Sequence, residues 1–168
     1  MRRKKILIIG HARHGKDTVA EMMEKFFGFT FESSSIAACR IFLFDALKDK
    51  YGYTTPEHCF EDRVNHREEW KDLICEYNKV DKARLAREII KSYDIYVGMR
   101  DDAEIQACMD HRLFDHVIAV YDPRKPKESS KSFNIDMWAA ADIVIPNAWD
   151  LPALERKVHA LLPLIAAA

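Results

Sequence analysis

Residues 5–10, KILIIG, run apolar without alternation and stop at Gly10, the pattern of a strand buried on both faces of a parallel sheet. The period then changes. In KDTVAEMMEKFF (16–27), Val19, Met22, Met23 and Phe26 recur at helical spacing, and Gly28 supplies the C-terminal stop. FTFES (29–33) predicts a short second strand, and IAACRIFLFDALKDKYG (36–52) a helix ending at Gly52. Tyr53, Thr54, Thr55 and Pro56 open a loop that leads into a charged helix over 61–79, EDRVNHREEWKDLICEYNK. A further helix, 82–93, precedes a third strand, DIYVGMR (94–100). The rest reads as helix 101–114, strand 116–122, polar loop 123–133, strand 141–146 and closing helix 150–165. Strands alternating with helices predict an α/β fold, a parallel sheet covered by helices on both faces.

Length and composition leave this picture standing. A chain of 168 residues, 48% hydrophobic and 11% aromatic, is one domain with enough apolar surface for a core. Lys and Arg number 26 against 27 acidic residues, so the formal charge is −1 and any basic site must be local. The four cysteines, Cys39, Cys59, Cys75 and Cys108, show no metal spacing and read as reduced thiols. MRRKKILIIG begins basic and turns apolar, but its apolar run is too short for a signal sequence. No run approaches the roughly 18 apolar residues of a membrane span. The expectation is a soluble, cytoplasmic protein with no membrane partner.

The candidate chemistry sits where the first strand meets the first helix. GHARHGKDT (10–18) has the G-x-x-x-x-G-K spacing in which successive backbone N–H groups and a helix N-terminus cradle phosphates. Gly10, His14, Gly15, Lys16, Asp17 and Thr18 are the candidate ATP-binding residues, with Lys16 reaching the β- and γ-phosphates. Asp17 stands where Ser or Thr is usual. Its carboxylate, with Thr18 beside it, can ligate Mg²⁺, or it can simply cap the helix N-terminus.

This loop in its G-x-x-x-x-G-K-D-T form, with YVGMR and the closing ADIVIPN, resembles the P-loop nucleotide kinases of tailed bacteriophages, above all the deoxynucleoside monophosphate kinases. The resemblance in order of elements covers nearly the whole chain. It implies a P-loop NTPase three-layer sandwich with a five-stranded parallel sheet, ATP as donor, Mg²⁺, and a phosphorylated acceptor across the sheet's C-terminal edge. The host cytoplasm is then the location. Dephospho-coenzyme A kinases are similar in the same loop and ending, and phage kinases of 5-hydroxymethyluracil in DNA would resemble the chain in the same loop.

Acceptor candidates follow. Arg63, His66, Arg67 and Trp70 at i, i+3, i+4 and i+7 share one face of the expected helix. That face is either a cradle of guanidiniums and an indole, or a surface whose arginines pair with Asp62, Glu68 and Glu69 while Trp70 anchors it to the core. Arg100 ends the third strand, where ligands bind in open α/β sheets, and matches the arginine that in nucleotide kinases grips the acceptor phosphate. Residues 53–80 are accordingly read as a helical acceptor-binding insertion, and 122–134 as a short lid loop whose Arg124 would neutralise charge on the transferred group. By the same resemblance Asn147 matches the loop around adenine, or it is a turn former after Pro146. Glu32, closing the second strand, is a candidate base if the acceptor is a hydroxyl. The expected activity is transfer of the ATP γ-phosphoryl group to a deoxynucleoside monophosphate. The alternatives are 5-hydroxymethyluracil in DNA, a dephospho-coenzyme A-like acceptor, or a nucleotide-binding module without transfer.

Overall fold

A computed structural model describes residues 3–166. Five strands, β1 (Ile6–Ile9), β2 (Phe31–Ser33), β3 (Ile95–Val97), β4 (His116–Tyr121) and β5 (Ile143–Pro146), form one all-parallel sheet in the order β2-β3-β1-β4-β5. β1 is central and wholly buried, which is why its four residues are all apolar. Its side chains divide between two cores. Leu7 and Ile9 join one face, Ile6 and Ile8 the other.

On the second of these faces lie α1 (Lys16–Phe27), α9 (Leu151–His159) and α10 (Leu162–Ala166), contributing Val19, Met23, Leu154, Val158, Leu161 and Ile165. The other face carries α2 (Ser34–Ala38), α3 (Phe44–Tyr51), α4 (Pro56–Asp62), α5 (Arg67–Tyr77), α6 (Arg84–Ser92), α7 (Asp102–Asp110) and α8 (Met137–Ala140). The three-layer α/β sandwich expected from the sequence is thus the observed fold. At the sheet's N-terminal edge, Asp94 accepts hydrogen bonds from Thr30 N–H and Oγ1, both at 3.1 Å, and from Lys5 Nζ at 3.3 Å, tying β1, β2 and β3 together.

Four elements differ from the sequence expectation. The helix over 61–79 is broken: α4 passes into a 3₁₀ turn, Arg63–Asn65, and His66 leaves helical geometry before α5 begins. At the break the Asp62 carboxylate gathers three side chains, accepting from Tyr53 Oη (2.6 Å), Asn65 Nδ2 (2.6 Å) and His66 Nε2 (3.0 Å). The helix over 36–52 contains a π-helical stretch, Cys39–Leu43, between α2 and α3, and ends at Gly52 as expected. The closing helix divides into α9 and α10 because Pro163 cannot donate a backbone hydrogen bond and fits only the first turn of a new helix. α8 lies in a stretch that the pattern left unassigned, and is capped by Asp136, whose Oδ1 accepts from Trp138 N–H (3.1 Å) and Ala139 N–H (3.2 Å).

Candidate functional site

The segment between β1 and α1 is built around positive φ angles: Gly10 at 153°, Arg13 at 64° and Gly15 at 99°. A Cβ on Gly10 would run into the carbonyl oxygen of Val120 on β4, and one on Gly15 would stand 2.6 Å from Asn147 Nδ2. Only glycine lets the chain pass that close to its neighbours. Arg13 adopts the left-handed conformation without that licence, a local strain of the kind concentrated at binding loops. The curled backbone ends on the N-terminus of α1, the kind of loop-to-helix turn that can cradle an anion, and within it the Ala12 N–H bonds the Glu128 carboxylate and the His14 N–H donates to His11 O.

Lys16 is the charge of this cradle. Its Nζ donates to His11 O at 2.9 Å and is almost fully buried, so the ammonium arches back over the loop. Burial pushes its pKa below the usual lysine value, and the charge of Arg100 adds to this against Asp17 and Glu128. Asp17 is exposed in the first turn of α1 and makes no hydrogen bond among the described residues, while Thr18 is half-buried one position on.

His14 has a different place from the expected one. Its Nδ1 accepts from Asp122 N–H at 3.0 Å and its Nε2 donates to Pro126 O at 3.2 Å. Both ring nitrogens are engaged by backbone, so the fully buried imidazole has no nitrogen left for a phosphate. It shapes the loop and fastens it to the segment after β4. Asn147 does related work from β5's end: its Nδ2 donates to His14 O at 3.2 Å and its N–H to Tyr121 O at 2.8 Å. Its side chain therefore braces the phosphate loop.

Arg100 follows β3 and reaches the loop from the other side. Its guanidinium pairs with Glu128 Oε1, and Glu128 Oε2 accepts from Ala12 N–H at 2.7 Å. Glu128 N–H in turn donates to His11 Nδ1 at 3.1 Å. Burial would raise the Glu128 pKa, but the hydrogen bonds from Ala12 and Arg100, with the charge of Lys16, outweigh it and hold the carboxyl below the usual glutamate value. His11 is pushed below the usual histidine value by burial and by His14. Sequence reasoning passed over Glu128. The one available signal was that it is the lone acid in a loop otherwise carrying Arg124, Lys125, Lys127 and Lys131.

Arg124 points away from this meeting place. Its Nε and Nη2 bond the two oxygens of Asp122, each at 2.9 Å, and Nη2 also donates to the carbonyls of Asn147 (3.1 Å) and Trp149 (3.4 Å). This fork geometry fixes it to the loop after β5, beside Asn147. The hydrogen bonds and charge of Arg124 drive the Asp122 carboxyl down to about 2.

The acceptor candidates scatter. Trp70 is 5% exposed and packs in the core near Phe60, so the indole presents no open face for stacking a base. Its burial is the anchoring alternative. Arg63 lies over the Phe60 ring at 4.0 Å, His66 stacks on Tyr51 at 4.1 Å, and Arg67 begins α5, so the four residues do not form one helical face. Beside them is an open groove of about 820 Å³ that includes His66 and Arg67 but also Glu68, Glu69, Asp72 and Glu76, and none of residues 10–18. Glu32 is the middle residue of β2, two strands from β1, with its carboxylate bonded to Arg40 at 2.6 Å. Arg40 also pairs with Glu57 at 3.0 Å, which turns Glu32 into one member of a surface network.

No protein-family model matches the chain, and no curated protein matches it. Among solved structures it is similar to a sugar kinase from Janibacter sp. HTCC2649, at 15% identity over 99% of this chain and 96% of that one, with a TM-score of 0.47. It is also similar to TT1252 from Thermus thermophilus (16% identity, 97% and 98% of the two chains, TM-score 0.49). The dephospho-CoA kinase from Campylobacter jejuni is a third, at 14% identity over 97% of each chain with a TM-score of 0.43. Likenesses this distant bear no weight on the substrate.

Proposed function

We propose that the chain is a P-loop phosphotransferase that moves the γ-phosphoryl group of ATP to a deoxynucleoside monophosphate. One observation carries this reading: the loop from Gly10 to Lys16 turns through positive φ angles onto the N-terminus of α1 with Lys16 buried against it, and Arg100 is joined to it through a shared carboxylate. A loop-to-helix turn of this kind with a buried lysine fits a polyphosphate. Mg²⁺ fits the exposed Asp17 carboxylate and Thr18 at its edge, where it would neutralise charge on the phosphate oxygens. Arg100 then serves as the acceptor's phosphate ligand, since a planar guanidinium grips phosphate in a fork.

The choice of a phosphorylated acceptor is supported by the company Arg100 and Glu32 keep. A hydroxyl acceptor benefits from a carboxylate able to take its proton, and Glu32, the candidate for that role, is bonded to Arg40. A phosphate acceptor asks only for positive charge and position, which Arg100 and Lys16 supply. Arg63 and Arg67 remain part of the proposal as charges at the outer acceptor side, in residues 53–80.

The test is transfer of labelled γ-phosphate from ATP with Mg²⁺ to a panel of deoxynucleoside monophosphates, with duplex DNA containing 5-hydroxymethyluracil and a phosphopantetheine-type acceptor in parallel and Lys16→Ala as control. The expected result is label on a free monophosphate, lost by at least a hundredfold in Lys16→Ala, in line with removing a phosphate-stabilising charge. Label on the DNA alone overturns the acceptor and keeps the donor. Label on a phosphopantetheine-type acceptor alone would assign a coenzyme A precursor instead.

A further inference from the structure

The Glu128 carboxylate sits between the two groups best suited to hold phosphate. One oxygen takes the Ala12 N–H of the loop at 2.7 Å, and the other takes Arg100. Lys16 is near enough to act on the same carboxylate electrostatically. An N–H of an anion cradle and a guanidinium are the donors a phosphoryl oxygen would use, and here an acidic side chain from the segment after β4 already uses them. A carboxylate and a phosphate cannot share those donors. Both are anions, and their repulsion in a partly buried site is stronger than in water.

We propose that Glu128 is an internal latch on the phosphate site: its carboxylate competes with the incoming phosphate for Ala12 N–H and Arg100, and its release hands Arg100 to the acceptor. The inference rests on the phosphate-binding reading of the loop and deepens it. The surrounding attachments show how such a release can be local. His14 holds Pro126 O, the Asn134 N–H donates to Arg100 O at 3.1 Å, and Asn134 Oδ1 accepts from Asp102 N–H at 2.6 Å. Phe133 and Ile135 are buried in the core. The segment is thus fastened on both sides of Glu128, and one side chain can swing out while the strap stays in place.

A permanent catalytic role fits the geometry less well. A base must offer a lone pair to a proton, and both oxygens of this carboxylate already accept from charged or backbone donors. A latch requires just that engagement. It also explains why a single acid occurs in a loop where every other charge is positive.

The experiment is calorimetric titration of Mg·ATP into the wild type, Glu128→Gln and Glu128→Ala, with hydrogen–deuterium exchange of amides 10–18 and 127–134 before and after addition. Removing the competing charge should tighten ATP binding by about tenfold in both variants, because the competent arrangement no longer has to displace a charge-assisted pair. Exchange at the Ala12 amide, which the Glu128 carboxylate covers, should be raised already in the variants, while the Glu128 amide, bonded to His11, stays protected throughout because the strap does not move. Equal or weaker ATP binding by both variants overturns the latch and leaves the donor reading intact. Absence of ATP binding by all three proteins overturns the donor reading, and the latch with it.

Discussion

At the scale of single residues, the site is organised by side chains whose hydrogen-bonding capacity is spent on the protein itself. Asp122 is the clearest. It is buried at the end of β4, its N–H is taken by His14 and its carboxylate by Arg124. Its pKa is lowered from 3.8 to about 2, so the folded protein binds this proton less readily than the unfolded chain. Its contribution to stability is therefore complete above the unfolded value and is lost as pH falls from there toward the folded one. Asp122→Asn keeps the shape and discards the charge. Thermal unfolding of the two proteins across pH should show the wild type ahead by a constant margin from neutrality down to about pH 4, with the margin closing as the pH approaches roughly 2. A margin that is unchanged throughout would mean that Arg124 does not hold the carboxylate ionised.

At the scale of elements, the same physics decides what could be read in advance. β1, β4, β5, α1 and α6 were legible because a buried strand or an amphipathic helix writes its burial into its own residues, as Ile6–Ile9 and Leu85, Ala86 and Ile89 do. Positions 10, 15, 16 and 100 were legible because backbone geometry and a strand's end leave a local mark. The break between α4 and α5 was not, and there Asp62 gathers Tyr53 from nine residues away together with Asn65 and His66. Glu128 was not either, its partners Ala12 and Arg100 being distant in sequence. Trp70 shows the consequence for function: a helix face that reads as a stacking platform becomes the anchor of α5. Its Nε1 has no hydrogen-bond partner among the described residues, so Trp70→Phe removes a buried N–H at little cost, within about 1 kcal/mol in urea unfolding. Trp70→Ala should lose about 3–5 kcal/mol through the cavity it leaves. Trp70→Leu, which fills space without a π face, should leave the acceptor KM within about twofold; a large rise with stability preserved would restore the stacking role.

At the scale of the whole molecule, the strand order explains why these residues meet. β1 lies between β3 and β4, and the chain leaves β1 toward one side of the sheet and β4 toward the other, which opens a crevice at their C-terminal ends. Lys16 after β1, Arg100 after β3, Glu128 after β4 and Asn147 after β5 are thereby carried to one edge by four separate segments, the first three of them crossovers. Each segment pays its own loop entropy, and none of the four is held to the others by covalent structure. A polyphosphate that engages the loop amides would fasten that edge by binding the folded state alone. Linkage then requires stabilisation: at a hundredfold excess over Kd the folded state gains about 2.7 kcal/mol. For a domain of this size that corresponds to a rise in Tm of about 5–10 °C. Mg·ATP should therefore raise the unfolding temperature of the wild type by this amount and leave that of Lys16→Ala almost unmoved, because the variant keeps the loop's shape but lacks the charge that holds the phosphates. An equal rise in both proteins would place the nucleotide away from Lys16 and detach the cradle from ATP.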